Sequence, residues 1–398
     1  MRPALRARHP GEAGFSLMEL MISITIGLLL LTGVASLFSK SSISQNEIRR
    51  SAAQIENGRY AMDTMVQDLQ MAGYFGQYRT TSFASSLPDP CAISTAANVQ
   101  ALLQMPVLGY GAAGVTSYPD ISATTCGTYL PNTNLAKGSG ILVVVRSDSN
   151  YVPIGTTTTA GTWYLQTNPA SFEVQNGGGT TSCTSKADGS ASSITRRCLT
   201  PSTSDPCSSI CPAGSPVGFI RQVHVNIYFV APCNVPSTGV ATDACTGSSD
   251  DGGRPVPTLK RLELYNNGGV PGLTITPIAS GVEFLSVGYG IDDTPSATNP
   301  DTGMPGDGAP DRFVNSPTAT DLKDVVTVRL DMLVRNPEPS VDYTDNKVYA
   351  LGRDPIIATN AAMTITASSD LASALSYRRH VYSSTVRLVN LSSRKENP

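Results

Sequence analysis

Three sets of residues in this chain have types and spacings suited to chemistry. A single carboxylate, Glu19, stands near the start of an apolar run covering residues 15–38. Eight cysteines follow it: Cys91, Cys126, Cys183, Cys198, Cys207, Cys211, Cys233 and Cys245. Five aspartates, Asp292, Asp293, Asp301, Asp307 and Asp311, crowd a Gly/Pro-rich stretch. The chemistry open to each set differs. A carboxylate in hydrocarbon costs about 2.5–3.5 kcal/mol on insertion scales, so Glu19 requires a compensating cation. Cysteines in a translocated domain form disulfides, whereas thiolates with histidine partners would hold zinc. Carboxylate oxygens on a flexible loop suit calcium.

Catalytic constellations are missing. No G-x-S-x-G, H-E-x-x-H, phosphate loop or dinucleotide fingerprint occurs, and the only histidines, His9, His224 and His380, are scattered. The chain therefore reads as a non-enzyme. Charge is nearly balanced, 28 Lys+Arg against 31 Asp+Glu for a net charge of -3, so no basic field implies nucleic acid as a direct partner. Proximity favours disulfides Cys207 with Cys211 and Cys233 with Cys245. A zinc site at Cys207 and Cys211 lacks a neighbouring histidine.

The elements that must position these residues begin at the N-terminus. Arg2, Arg6, Arg8 and His9 precede the apolar run, which has 24 residues and reaches about 36 Å as a helix. A basic start predicts an N-in orientation, with the remainder outside the cytoplasm. Three readings fit: a secretory signal cut near Gly33-Val34-Ala35, a permanent signal anchor, or a helix retained after a cut upstream of it. Neither of the first two explains Glu19.

The stretch Gly14-Phe15-Ser16-Leu17-Met18-Glu19-Leu20 resembles the cleavage junction of type IV prepilins. The resemblance implies that a prepilin peptidase cuts between Gly14 and Phe15, that Phe15 is N-methylated, and that the helix stays on the mature chain. It also implies that Glu19 pairs with the N-terminal ammonium of a neighbouring subunit, which would compensate the buried carboxylate. Glu12 departs from the purely basic leaders usual in that family.

Beyond residue 38 the helix is predicted to continue to about Met71, because no proline occurs between Phe15 and Leu87. Ile48, Ala52, Ile55, Met62, Val66 and Leu69 form an apolar stripe, and Gly73 is placed to stop the helix. After residue 76 the pattern changes to period two. Residues 141–145 read as a buried strand, and 223–229, 326–334 and 381–391 as half-buried antiparallel strands, with His224 on a solvent face. Residues 156–216 are rich in Ser, Thr, Gly and Pro and read as long loops stapled by cysteines.

The expected fold is α+β: a long N-terminal helix packed on an antiparallel β-sheet head with disulfide-stapled loops. Residues 1–14 would be the leader, 15–75 the helix (15–38 its membrane and filament-core part) and 76–398 the head. Four stretches, "AMDTMVQDLQMAGYFG", "IASGVEFLSVGYGID", "DVVTVRLDMLVRN" and "YRRHVYSSTVRLVNL", resemble PilW-type minor pilins. That resemblance implies assembly with other minor pilins and a major pilin through the inner-membrane pilus machinery, with priming or capping of a type IV pilus. A large tip adhesin is a further implied partner, and motility, adhesion or DNA uptake the implied output. It places the chain in the inner membrane of a Gram-negative bacterium, head in the periplasm, and then on the pilus. A type II secretion pseudopilin of the J kind and a membrane-anchored adhesin or binding protein stay open as alternatives. The aspartate stretch, through Asp293, Asp301, Asp307 and Asp311, is a candidate calcium loop, although its spacing is not that of an EF-hand.

Overall fold

The computed structural model describes residues 14–78, 83–153, 156–167, 172–179, 182–183, 195–196, 219–240, 243–293, 308–352, 363–371 and 374–396. By contact the chain divides into two units, residues 1–52 and 53–398. Helix α1, Leu17–Gln70, contributes to both.

In the first unit every described residue from 14 to 46 except Gly27 is exposed. This is the stretch long and apolar enough to cross a membrane. Its hydroxyls turn inward along the helix: Ser23 donates to the Glu19 carbonyl, Thr25 to that of Ile22 and Thr32 to that of Leu29. Such back-bonding removes bare hydroxyls from a surface that would meet lipid.

In the second unit the last part of α1 buries Gln54, Gly58, Ala61, Met62, Met65, Asp68 and Leu69. The period is helical, but this face is offset from the apolar stripe read in the sequence. Ile55 is 51% exposed and Ile48 and Ala52 are exposed as well. Polar and small residues replace them for a physical reason. The Gln54 amide satisfies two carbonyls, those of Val334 and Arg378 (2.6 and 3.2 Å). Gly58 has no Cβ, and a Cβ there would stand 2.4 Å from the Tyr382 ring. Gly73 ends the segment at φ +69°, and its N–H donates to the Val145 carbonyl.

The head then builds two antiparallel sheets. After helix α2 (Ala96–Gln104) come β1 (Val107–Tyr110), β2 (Ile141–Ser147), β3 (Trp163–Thr167) and β4 (Phe172–Asn176). A short parallel pair, β5 (Ser182–Cys183) and β6 (Thr195–Arg196), stands apart. The long strand β7 (Phe219–Ala231) pairs with β2 along one edge, and with β3 and then β8 (Thr258–Asn267) along the other. β9 (Val270–Ser280) forms a hairpin with β8 and completes the first sheet. The second sheet runs β11 (Arg312–Val314), β10 (Val282–Ile291), β12 (Val325–Arg335) and β15 (Arg379–Arg387), with helix α3 (Ala319–Lys323) before β12. β13 (Val348–Leu351) and β14 (Met363–Thr366) form a separate pair, followed by helix α4 (Ala367–Asp370). Helix α5 (Val389–Glu396) ends the chain.

The two sheets share one core. Tyr289 of β10 is fully buried and donates to the Leu108 carbonyl of β1 (3.2 Å). Gly109 makes the room, since a Cβ there would collide with the Tyr289 hydroxyl. Because layers cover both faces, β10 is buried throughout and β12 at all positions but Arg329. The half-buried pattern expected at residues 326–334 is thereby corrected: alternation in β12 marks two different buried faces rather than a dry and a wet one. The expected terminal strand also stops earlier, at Arg387, because α5 takes over from Val389. Within the stretch read as loops, residues 163–167 and 172–176 are strands of the first sheet, and Trp163 donates to the Ile93 carbonyl (2.9 Å).

Two disulfides are described, Cys91–Cys126 and Cys233–Cys245. The carboxylates of Asp89 and Asp250 beside them are engaged by backbone N–H groups. Cys198, Cys207 and Cys211, and so the proposed Cys207–Cys211 pair, lie outside the described residues.

Candidate functional site

The N-terminal site is simple in construction. Gly14 and Phe15 precede the helix, and the Ser16 carbonyl accepts from the N–H groups of Glu19 and Leu20 (3.0 and 3.1 Å). Glu19 is the acidic residue of the first turn, where the helix dipole favours a carboxylate by about 0.3–1 kcal/mol. That contribution is far below the cost of holding the charge in hydrocarbon. No side chain among the described residues pairs with Glu19. Phe15 is exposed, and so are its apolar followers. Residues 15–38 thus present an exposed apolar surface on which Glu19 has no partner among the described residues.

The head treats buried charge in the opposite way. Glu283 of β10 receives Arg379 of β15 through two hydrogen bonds (2.5 and 3.1 Å) and lies 3.4 Å from Arg335 of β12. Arg379 also donates to Asp345 (2.9 Å), which accepts from the Tyr349 hydroxyl (2.8 Å). All of Glu283, Arg335, Asp345 and Arg379 are buried. Burial works against the Arg379 cation, yet the facing carboxylates raise its pKa above the usual guanidinium value. Asp345 is pushed up by burial but held lower overall by hydrogen bonds from Arg379 and Tyr349. The Arg335 guanidinium lies over the Tyr377 ring at 4.1 Å.

A second cluster fixes the helix to the first sheet. Asp68 of α1 accepts from Arg146 of β2 (2.8 Å) and from Asn226 and Tyr228 of β7 (both 2.5 Å). Burial, and then the Asp68 charge, raise the pKa of the Tyr228 phenol. In a third cluster Asp331 of β12 accepts from Arg329, from the Ser383 hydroxyl and from the Gly352 N–H. His224 sits half-buried, 3.8 Å from Asp148; burial first, and then Arg146, lower its pKa, so the ring is neutral at pH 7.

The four stretches quoted above therefore supply a residue to each of these three clusters, while Asp345 and Arg146 come from outside them. Glu283, Asp331 with Arg335, and Arg379 come one stretch each, and Asp68 comes from the fourth. The sequence reading passed over these residues. Charges set inside runs such as VEFLSV and VRLDMLV were the available signal, because isolated charges within buried strands must find partners.

The aspartate stretch is only partly described. Asp293 accepts two hydrogen bonds from Arg312, which also reaches Asp321, and Asp311 accepts from the Asp293 N–H. Asp292 is buried and accepts from the Gly308 N–H. Asp301 and Asp307 lie outside the described residues. Arg312 already supplies the positive charge beside Asp293.

Comparison with known proteins draws these features together. Residues 245–390, from the Cys245 loop to the end of the second sheet, match the family Type IV Pilus-assembly protein W. Residues 10–35, which contain Gly14, Phe15 and Glu19, match the Prokaryotic N-terminal methylation motif. The chain is thus similar to PilW-type proteins over residues 245–390 and to prepilins over residues 10–35. No curated protein matches it. Among solved structures, the type IV-like pilin TTHA1219 from Thermus thermophilus is similar at 13% identity, over 60% of this chain and 86% of that one, with a TM-score of 0.23. The methylation motif implies processing by a prepilin peptidase and association with pilus components, and the apolar helix is consistent with membrane anchoring. The family matched over residues 245–390 is described by its part in pilus assembly, a structural role.

Proposed function

We propose that the protein is a minor pilin that enters a type IV pilus through its N-terminal helix and primes or caps the filament with other minor pilins. One observation carries the reading: Glu19 has no partner among the described residues, four residues past Phe15, in a part of α1 whose large apolar side chains are exposed. Cleavage behind Gly14 would create an ammonium at Phe15. In a bundle of such helices, the ammonium of one chain would neutralise Glu19 of the next, and the apolar surfaces would cover one another. The helix is then a membrane anchor before assembly and a packing surface after it. The head would face the periplasm and later the cell exterior, where disulfides persist. Prepilin peptidase, the major pilin, the inner-membrane assembly machinery and a large tip adhesin are the partners of this role.

Mass spectrometry of the chain purified from its host tests the reading. The expected mature form begins with N-methylated Phe15. A chain retaining Met1, or starting near Ser36, would remove the basis for it.

A further inference from the structure

A cleft of about 580 Å³ opens on the head, away from the charged clusters described above. Its walls come from three places in the sequence. Thr128 and Tyr129 follow Cys126, Asp243 precedes Cys245, and Tyr265, Asn267 and Thr274 belong to the β8–β9 hairpin.

The walls are held before any ligand arrives. Disulfides Cys91–Cys126 and Cys233–Cys245 anchor the two loops. The Cys245 N–H donates to the Asn134 side chain (3.2 Å). Asp250 ties down the rest of the second loop by accepting from the N–H groups of Ser237, Thr246 and Gly247 (2.7, 2.8 and 2.9 Å). A wall fixed in advance reduces the ordering cost of binding.

Tyr265 is the unusual member. It is 51% exposed near the end of β8, and the residue opposite it in β9 is Gly272. Cross-strand neighbours normally cover one another's side chains, but here one flank of the ring is left open. A Cβ on Gly272 would stand beside the ring, 4.0 Å from Tyr265 Cδ1, and in tight contact with the Asn267 Cβ at 3.2 Å. Gly272 has no positive φ, so its backbone does not require glycine.

The chemistry of the lining selects the ligand class. Two tyrosine rings offer flat apolar surface with a polar edge. Hydroxyls of Thr128 and Thr274, the Asn267 amide and the Asp243 carboxylate surround them with acceptors and donors. No Lys, Arg or His is among the described lining residues, so a phosphate, sulfate or acidic sugar would enter without a counter-charge. One carboxylate is too few for a calcium ion, which takes six to eight oxygens. An added peptide strand fits poorly, because Pro271 and Pro277 remove N–H donors from β9. A pyranose ring matches both features: an apolar face of C–H groups and a rim of hydroxyls.

We propose that this cleft binds a neutral oligosaccharide, one sugar ring stacking on Tyr265 while Asp243 and Asn267 take its hydroxyls. The assignment stands independently of how the N-terminus is processed.

The test uses the full chain in a zwitterionic detergent without a sugar headgroup. Binding is measured to immobilised maltotetraose, cellotetraose, mannotetraose and tetra-N-acetylchitotetraose, with sulfated and phosphorylated counterparts alongside. Binding to at least one neutral glycan is expected, with weaker binding to its charged counterparts. Tyr265→Ala should weaken it about tenfold, the upper end of what one aromatic contact contributes. Gly272→Leu should fill the space beside the ring and abolish binding, and Asp243→Asn should weaken it about threefold. Circular dichroism of each variant confirms folding, and Gly272→Ala serves as the milder filler should Gly272→Leu fail to fold. Three results would overturn the assignment: no neutral glycan bound, a preference for charged glycans, or affinity unchanged in folded Tyr265→Ala and in a folded Gly272 variant.

Discussion

The first 52 residues and the head handle charge in opposite ways. In the head, Asp68, Glu283, Asp331 and Asp345 are buried, and each meets an arginine of the same chain within 3.0 Å. In the N-terminal unit, Glu19 lies in an apolar stretch and meets no side chain among the described residues. Ionised groups taken out of water need partners, so the two regions differ in where the partner resides. The described buried carboxylates of the head find their partners within the chain, whereas Glu19 would find one only in a second chain under the proposed assembly. Among the described residues of the head, Lys260 departs from this pattern. Lys260 is fully buried, its ammonium has no hydrogen-bond partner among the described residues, and burial lowers its pKa against the pull of Asp251 and Asp250.

The contrast can be attacked most strongly at Arg379. Replacing it with Met leaves Glu283 and Asp345 buried without their shared cation, and should cost about 3–5 kcal/mol in denaturant unfolding of the full chain. A loss below about 1 kcal/mol would show that the head does not depend on internal compensation. Asp68→Asn should cost less, about 1.5–3 kcal/mol, because only the charged acceptor of three hydrogen bonds changes. Hydrogen exchange should then rise in residues 53–70 while β10 and β12 stay protected. At Lys260 the sign reverses. Lys260→Met removes an unsatisfied ammonium and should raise stability by about 1–3 kcal/mol, and a decrease would mean that the lysine has a partner after all.

Acid titration refines the picture of the disulfide loop. Burial pushes the Asp250 carboxyl up, but hydrogen bonds from Gly247, Thr246 and Ser237 outweigh it and bring the pKa down to about 2. A folded value below the unfolded one means that this stabilisation is complete above about pH 4 and is lost as pH falls through about 2. Amide exchange of Thr246 and Gly247, corrected for intrinsic pH dependence, should therefore accelerate only below pH 4. The smallest effect is expected at the aspartate stretch. Arg312 already neutralises Asp293, so millimolar calcium should leave the melting temperature of the full chain unchanged; a clear rise would support the calcium reading instead.

Much of this plan was legible in the sequence, for identifiable reasons. The helix and its end at Gly73 could be read because proline is excluded from a long interval and glycine alone accepts a left-handed backbone cheaply. β2, β7 and β12 showed in their branched residues. The face of α1 toward the head was misjudged because Gln54, Gly58 and Asp68 occupy it, and an apolar pattern does not register an amide that caps carbonyls or a glycine that admits a ring. The Cys91–Cys126 bond joins residues 35 apart, a distance at which proximity along the chain gives no guidance. The charged clusters were missed because each is assembled from strands far apart in sequence, whereas Glu19 was found because its environment is purely local.

The central claim is that Glu19 serves assembly between chains and not insertion or folding of its own. Sheared filaments and membranes from cells carrying Glu19→Gln test it most directly, because the amide keeps the shape and removes only the charge. The account predicts normal amounts of mature protein in the membrane and loss of the protein from the filament fraction. Equal incorporation of Glu19→Gln and the unaltered chain would contradict it.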